Sequence, residues 1–240
     1  MIGLSASPTG TGWAAVAHLP YLLKSSKYSI TALCNSSVES AQKAIAAFNL
    51  PSNTKAYGRP EDLAADPEVD LVVCNTRVDK HAELINPMIS AGKDVFCEWP
   101  LGKNLTQARD TATAAKAKGV RTMTGLQARV SPVVLKVKEL VEQGRIGNVL
   151  STTWVGPAVN GGEEEYKSFA YTVNREIGAG LLNIHFGHSK SNCVIGFLLR
   201  SVDTFIAMDY ILYALGELES FNSLLAVQRR TTNIIDPCNE

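Results

Sequence analysis

The chain has 240 residues with 23 basic and 23 acidic side chains, so its formal net charge is zero. An apolar fraction of 45% excludes a disordered chain, and the charge balance gives no reason to expect direct nucleic-acid binding. The start carries no basic, apolar leader, and the apolar runs are far shorter than the roughly 20 residues of a membrane span.

The first 125 residues alternate short apolar runs with helical patterns. After an apolar start at Ile2–Ser5, the predicted helices are Trp13–Leu23, Val38–Phe48, Pro60–Ala65, Lys80–Ala91 and Thr106–Lys118. The predicted strands are Tyr28–Cys34, Val69–Cys74, Val95–Cys97 and Val120–Thr124. Apolar strands separated by helices are typical of βαβ units. Residues 1–125 are therefore predicted to form a doubly wound parallel α/β domain.

Local signals set several of these boundaries. Pro20 is expected to bend or end the first helix, and Ser36 or Ser37 is expected to cap the second. Gly92 and Gly119 mark the ends of two later helices.

Residues 126–240 are predicted to form a partial α+β domain. The predicted elements are the helices Ser131–Gln143 and Asp209–Leu215, the strands Val149–Val155 and Phe221–Gln228, an apolar run at Leu181–Phe186 and a loop over residues 156–180. Two strands and two helices cannot easily cover one another. This domain must therefore either lean on the first or lack part of a larger sheet.

The five cysteines form no Cys-x-x-Cys pair, and their number is odd. Neither a disulfide framework nor a metal site is expected. Cys34, Cys74 and Cys97 each end an apolar run, as small buried side chains at strand ends do. A reducing compartment follows, which we take to be the cytoplasm, the nucleus or both.

A glycine-containing segment runs from Gly3 to Gly12 and Trp13, between the first apolar run and the first helix. Dinucleotide-binding folds place their phosphate loop at this point. The match to G-x-G-x-x-G is imperfect because Ser5 stands in place of the second glycine. Asn35 ends the second strand, where many such folds carry a ribose-binding acid. The choice between NAD and NADP stays open.

Three motifs at strand ends carry a family resemblance: Cys74–His81 (CNTRVDKH), Glu98–Gly102 (EWPLG) and Gly144–Gly147 (GRIG). Together with the glycine-containing segment they resemble the glucose–fructose oxidoreductase/inositol dehydrogenase (Gfo/Idh/MocA) family over residues 1–156. The resemblance and the segment imply a dinucleotide site with three groups of contacts. These are Gly3, Leu4, Ser5, Ala6, Gly12 and Trp13 at the phosphate loop, Asn35 and Ser36 at the adenosine ribose, and Asn75, Thr76, Val78, His81, Glu98, Trp99 and Pro100 on the nicotinamide side.

Trp99 departs from the family pattern, which has Glu-Lys-Pro where this chain has Glu98-Trp99-Pro100. The family's lysine helps to polarise the reacting oxygen, whereas an indole offers only an N–H donor. Together with residues 5–8 (SASP) and 180–188 (GLLNIHFGH), Trp99 makes the chain resemble the galactose-pathway regulatory branch of the family. The resemblance implies a protein that keeps the dinucleotide site and inhibits transcription by binding an activator protein. An aromatic side chain that only fills a cleft wall is the alternative.

His185 and His188 are the candidate catalytic residues, because enzymes of the family use a histidine in this segment as general acid or base. The family's preceding aspartate is replaced by Asn183, which cannot support an imidazolium. Arg129 either faces the cofactor or forms a surface ion pair.

Residues 189–208 match nothing in the family, and we interpret them as a gene-model artefact such as an intron read through in frame. The family's second domain, mainly an antiparallel sheet, would extend beyond Glu240. The lead expectation is a regulatory dinucleotide sensor with an activator protein as partner. The alternatives are an NAD(P)-dependent sugar or polyol dehydrogenase and a non-functional truncated product, and a homodimer is left open.

Overall fold

The computed structural model describes residues 1–6, 12–152, 164–179, 207–216 and 233–236. The chain divides into two compact units, Met1–Gly125 and Leu126–Glu240. Within the described residues, every helix is too short or too polar to cross a membrane.

A parallel sheet forms the centre of the first unit. Its strands are β1 (Ala32–Cys34), β2 (Lys55–Tyr57), β3 (Leu71–Cys74), β4 (Asp94–Cys97) and β5 (Thr122–Thr124). Ile2 bridges to Cys34 on one side and to Cys74 on the other. Residues 1–3 therefore join the β1–β2 pair to the β3–β4–β5 trio. The resulting order, β2-β1-Ile2-β3-β4-β5, is that of a dinucleotide-binding fold.

Helices connect consecutive strands of this sheet. A π-helical turn, Ala14–His18, leads into α1 (Leu19–Lys24), and the others are α2 (Val38–Ala47), α3 (Pro60–Ala64), α4 (Val78–Ser90) and α5 (Leu105–Lys118). Each lies within a few residues of its predicted position.

Two apolar clusters cover the two faces of the sheet. Alternate residues of β1 divide between them: Ala32 and Cys34 pack in one cluster and Leu33 in the other. The first cluster contains side chains of α3, α4 and α5, and the second contains side chains of the π turn, α1 and α2. Burial on both faces explains why the strands read as continuous apolar runs. The predicted doubly wound parallel fold is confirmed.

The first helix differs from its prediction at Pro20, where it does not end. The N–H of Leu19 donates to the carbonyl of Ala14, which closes the π turn, and α1 then starts with Pro20 in its first turn. First-turn N–H groups need no partner within the helix, so a proline is tolerated there. The helix continues to Lys24.

Most strands of the first unit are shorter than predicted, and one was missed. The predicted strand Tyr28–Cys34 forms only over Ala32–Cys34. Lys55–Tyr57, which no prediction included, pairs in parallel with it. A three-residue strand with an exposed first residue carries almost no alternation, so its pairing depends on β1 rather than on its own pattern.

The second unit contains α6 (Pro132–Glu142) and α7 (Ala207–Leu215), close to the two predicted helices. A short 3-10 helix, Gln127–Val130, precedes α6. Its described strands, β6 (Glu164–Tyr166) and β7 (Asn233–Ile235), pair in parallel, unlike the antiparallel sheet that the family resemblance implies.

Two predictions for the second unit are wrong over the described residues. Residues 149–152 form no strand, and Leu150 is 93% exposed, so no sheet face covers it. Residues 164–179 are not a plain loop, because they contain β6 and two short 3-10 helices. The predicted elements Leu181–Phe186 and Phe221–Gln228, and residues 189–206 of the unmatched segment, lie outside the described residues.

Two helix caps allow a direct stability test. The Ser37 hydroxyl accepts a hydrogen bond from Ser40 N at 3.1 Å, and the Asn104 side chain accepts one from Gln107 N at 2.9 Å. Ser37→Ala and Asn104→Ala are each expected to lower the free energy of unfolding by about 1 kcal/mol in urea titrations. Ser36→Ala, at an exposed neighbouring position, is the control and should change it by less than about 0.5 kcal/mol.

Candidate functional site

The candidate site begins at Gly3. This residue follows Ile2, which bridges β1 and β3, and the chain turns there. Gly3 has a φ of +88°, a conformation that a side chain disfavours. An added Cβ would lie 2.8 Å from the backbone oxygen of Asn75 and 2.8 Å from Cγ2 of Thr76. Only glycine therefore lets the first loop lie against the loop after β3.

The rest of the phosphate-loop prediction is only partly described, because residues 7–11 lie outside the described residues. Leu4 is fully buried, so only its backbone can face a ligand, whereas Ser5 is exposed. Gly12 is exposed, and its carbonyl accepts hydrogen bonds from the N–H groups of Ala15 and Val16 at 2.8 and 3.1 Å. The helix starts directly after this glycine, as a pyrophosphate-binding loop requires.

The Asn35 side chain connects the segment after Gly3 to the first turn of α2 by hydrogen bonds. Its amide nitrogen donates to the backbone oxygens of Leu4 at 2.8 Å and Ser40 at 3.3 Å. Those N–H groups are therefore engaged, and the side-chain oxygen is what Asn35 can offer to a ribose hydroxyl. Ser36 beside it is exposed, and Ser37 rather than Ser36 caps α2.

Asn75, at the carboxyl end of β3, carries an unusual side chain. Its amide nitrogen and oxygen are both buried, and among the described residues neither has a hydrogen-bond partner. A buried polar group without a partner costs about 1–3 kcal/mol. The carboxyl end of a strand beside the Gly3 turn is where an α/β sheet binds ligands. A carboxamide or ribose hydroxyl would satisfy both atoms, so this position fits a dinucleotide.

His81 lies in the first part of α4 and is 1% exposed. One ring nitrogen, Nδ1, is 2.8 Å from the carbonyl oxygen of Pro100, and the other, Nε2, is 2.9 Å from that of Thr76. The imidazole thus connects the loop after β3 to the loop after β4. Val78, at the start of the same helix, is buried.

Glu98 is the first residue after β4, and two side chains from the first helical segment hold its carboxylate. Its carboxylate accepts a hydrogen bond from Trp13 Nε1 at 3.1 Å and contacts His18 Nε2. The His18 ring packs edge-on against Phe96 at 5.4 Å. The sequence suggested no role for His18, because it lies 80 residues from its partner. Gly125 packs against the same carboxylate, and a Cβ there would lie 2.8 Å from Oε2.

Trp99 follows Glu98 directly and is partly buried, and the peptide bond between Trp99 and the buried Pro100 is cis. Pro100 contributes its carbonyl oxygen to His81, as described above. Trp99 therefore lies in the loop after β4, at the position where the family resemblance implies a lysine.

Cys74, His81 and Cys97 form a cluster that the sequence analysis did not predict. Their ligand-type atoms all lie within 4.8 Å of one another, and all three residues are buried. This geometry resembles a metal site, but both His81 nitrogens already face carbonyl oxygens. The signal was present in the sequence, because two parallel neighbouring strands both end in cysteine.

The remaining candidates belong to the second unit of the chain. The Arg129 guanidinium donates to the buried Asp209 carboxylate, with Nε 2.8 Å from Oδ2. These hydrogen bonds to Asp209 raise the pKa of Arg129. His185 and His188 lie outside the described residues.

Family models match both parts of the chain. Residues 9–126 match the Gfo/Idh/MocA oxidoreductase family, described as an NAD-binding Rossmann fold. Residues 132–240 match the C-terminal domain of Gal80p.

Individual relatives include both regulators and enzymes. The chain is 35% identical to the galactose/lactose metabolism regulatory protein GAL80 of Saccharomyces cerevisiae over 199 residues, 78% of this chain and 44% of that protein. It is 42% identical to the dehydrogenase aclE of Aspergillus oryzae over 153 residues, 63% of this chain and 42% of that protein. A crystal structure of a super-repressor mutant of Gal80p from S. cerevisiae superposes with a TM-score of 0.81 at 28% identity, covering 99% of this chain and 58% of that one.

The chain spans less than half the length of these two curated relatives. The strand order, the Gly3 turn and the match to the Gfo/Idh/MocA family agree on the first unit. The chain belongs to the Gfo/Idh/MocA oxidoreductase family, with an NAD-binding Rossmann fold followed by a Gal80p-type C-terminal domain.

Proposed function

We propose that this protein binds a nicotinamide dinucleotide and acts as a regulator that recognises another protein, without efficient hydride transfer. The observation that carries the proposal is the group at the carboxyl ends of the strands. It combines the Gly3 turn and the unpartnered Asn75 amide with an indole at position 99.

In this proposal the phosphate-loop residues bind the pyrophosphate, and Asn35 and Ser36 contact the adenosine ribose. Asn75 is the central hydrogen-bonding group on the nicotinamide side. The other residues that line this side are those predicted for it: Thr76, Val78, His81, Glu98, Trp99 and Pro100. When bound, the nicotinamide ring supplies a hydride donor or acceptor. Trp99 can stack on that ring but cannot protonate a substrate oxygen.

The relatives support a regulatory output. One is a galactose/lactose metabolism regulatory protein, and a solved structure of Gal80p covers nearly all of this chain. By that similarity, the partner is a transcriptional activator protein met in the cytoplasm or nucleus, and a homodimer is part of the same proposal.

The experiment is a comparison of binding with turnover in the purified full chain. NADH and NADPH are titrated separately by quenching of tryptophan fluorescence, which also decides between the two coenzymes. Sugars and polyols are then screened with the oxidised coenzymes for formation of reduced nicotinamide. We expect saturable binding without turnover. Absence of any binding at about millimolar coenzyme would contradict the proposal.

A dehydrogenase is the second candidate, favoured by 42% identity to the dehydrogenase aclE. Because Trp99 replaces the family's lysine, a dehydrogenase would need another acid or base, and His185 and His188 are the candidates. Turnover that persists in Trp99→Ala but disappears in His188→Ala would support this candidate and overturn the regulator.

A further inference from the structure

Cys74, His81 and Cys97 form a buried cluster beneath the proposed dinucleotide site. Cys74 and Cys97 are the last residues of β3 and β4, and they are direct partners in the parallel register. Their side chains therefore leave the sheet on the same face. His81 reaches this face from α4, so that all three polar atoms lie within 4.8 Å of one another.

Both ring nitrogens of His81 face hydrogen-bond acceptors. They lie within 2.9 Å of backbone carbonyl oxygens, which can only accept hydrogen bonds. A neutral imidazole has one N–H donor and one nitrogen lone pair, and a lone pair that faces a carbonyl oxygen at this distance is repelled. An imidazolium would donate to both carbonyls.

A buried cation needs a nearby negative charge, because desolvation of an isolated ion is costly. The Cys74 sulfur can supply that charge, and two neighbours favour its ionised form. A hydrogen bond from the Cys97 thiol and the positive charge of His81 lower the pKa of Cys74, although burial opposes them. The same hydrogen bond and burial raise the pKa of Cys97, so Cys97 keeps its proton and donates it.

We propose that Cys74 and His81 form a buried thiolate–imidazolium pair that positions the two loops lining the dinucleotide site. The imidazolium donates to Thr76 in the loop after β3 and to Pro100 in the loop after β4. A neutral ring could satisfy only one of these carbonyls. The thiolate is the counter-charge that keeps the ring protonated, so both residues are positioning residues rather than catalytic ones. The part of the proposal that concerns the loops rests on the proposed dinucleotide binding.

The first test examines the charge pair in the ligand-free full chain. Nitrogen NMR of the unmodified protein at neutral pH should show both His81 ring nitrogens carrying hydrogen. A neutral His81 ring would overturn the proposal. This measurement needs no variant, so it does not depend on whether an altered chain folds.

The second test detects the thiolate by its ultraviolet absorbance in difference spectra between variants. Cys74→Ser should remove one thiolate at neutral pH. Cys34→Ser is the matched control, because burial raises the pKa of that thiol to about 11 and no thiolate should be lost. Cys97→Ser should keep the thiolate, since a serine hydroxyl can still donate to it. Absorbance unchanged in Cys74→Ser would refute the pair.

The third test measures the positioning effect through coenzyme affinity. Cys74→Ser removes the counter-charge, and we expect NADH to bind about tenfold more weakly, because a charge-assisted hydrogen bond to one loop is lost. Cys34→Ser should bind NADH like the parent chain. Equal affinity of Cys74→Ser and the parent would overturn the positioning role. If the parent itself binds no NADH, the proposed function and the positioning role both fail, while the charge pair is still decided by NMR.

Discussion

Gly3→Ala is expected to weaken NADH binding by at least about 100-fold. The new Cβ would lie 2.8 Å from the Asn75 carbonyl oxygen and 2.8 Å from Thr76 Cγ2, closer than such atoms approach. The carbonyl is part of the backbone and cannot rotate away as a flexible side chain can. The loop after β3 must therefore move, and Asn75 moves with it. Isothermal titration with NADH measures the loss.

Gly92→Ala is the matched control for this variant. Gly92 has a φ of +78°, close to the +88° of Gly3, but nothing lies within 4 Å of its Cβ position. Both variants carry the strain of a side chain at positive φ, about 1 kcal/mol. Only Gly3→Ala adds the collision, so Gly92→Ala should bind NADH normally. Equal affinities of the two variants would show that the Gly3 turn does not form the binding site.

Asp66→Ala should lower the free energy of unfolding by about 3 kcal/mol at neutral pH. Asp66 is 4% exposed, and its carboxylate accepts hydrogen bonds from Lys55 Nζ at 3.1 Å, from the Tyr57 hydroxyl at 2.9 Å and from Glu68 N at 3.0 Å. Removal of the carboxylate leaves the Tyr57 hydroxyl and the Glu68 N–H without this acceptor, whereas Lys55 keeps its ion pair with the Glu68 carboxylate at 2.6 Å. Glu83→Gln is the control, because its exposed pair with Lys80 contributes less than about 1 kcal/mol.

The contribution of Asp66 also depends on pH. Burial raises the pKa of this carboxyl, but hydrogen bonds from Glu68, Lys55 and Tyr57 outweigh it and hold the pKa below its ordinary value. A group with a lowered pKa in the folded state stabilises the fold above its unfolded pKa, and this stabilisation is lost as the pH falls through the folded pKa. Urea unfolding of the parent and Asp66→Ala should therefore converge below about pH 4. A difference that persists at lower pH would contradict the assignment.

Much of the first unit could be predicted because its signals are local. Gly119, with a φ of +67°, ends α5 where the glycine signal placed its end. Apolar runs such as Leu71–Cys74 identify strands that are buried on both faces. Lys55–Tyr57 lacked such a signal, since a three-residue strand is formed by its neighbour's hydrogen bonds rather than by its own pattern.

The candidate site, too, could be predicted only in part from the sequence. Asn75, Thr76 and Glu98 were predicted as a group because each follows a strand, and the carboxyl ends of parallel strands share one edge. The structure shows β3 and β4 as parallel neighbours, and the role of these residues in binding stays a prediction. The sequence carried no sign that Asn75 would be left without hydrogen-bond partners. That property depends on every side chain that packs around it.

By itself, the sequence determined the doubly wound class of the first unit, the positions of its helices, the glycine helix ends and the family to which the chain belongs. The tertiary structure decided which groups meet. It brings Glu98 into contact with Trp13 and His18. It also places the His81 ring against two backbone carbonyls and beside two cysteines. Local patterns come from neighbours in the chain, whose spacing is fixed by covalent geometry. Contacts across 80 or more residues form only when the parallel sheet brings its strand ends to one edge.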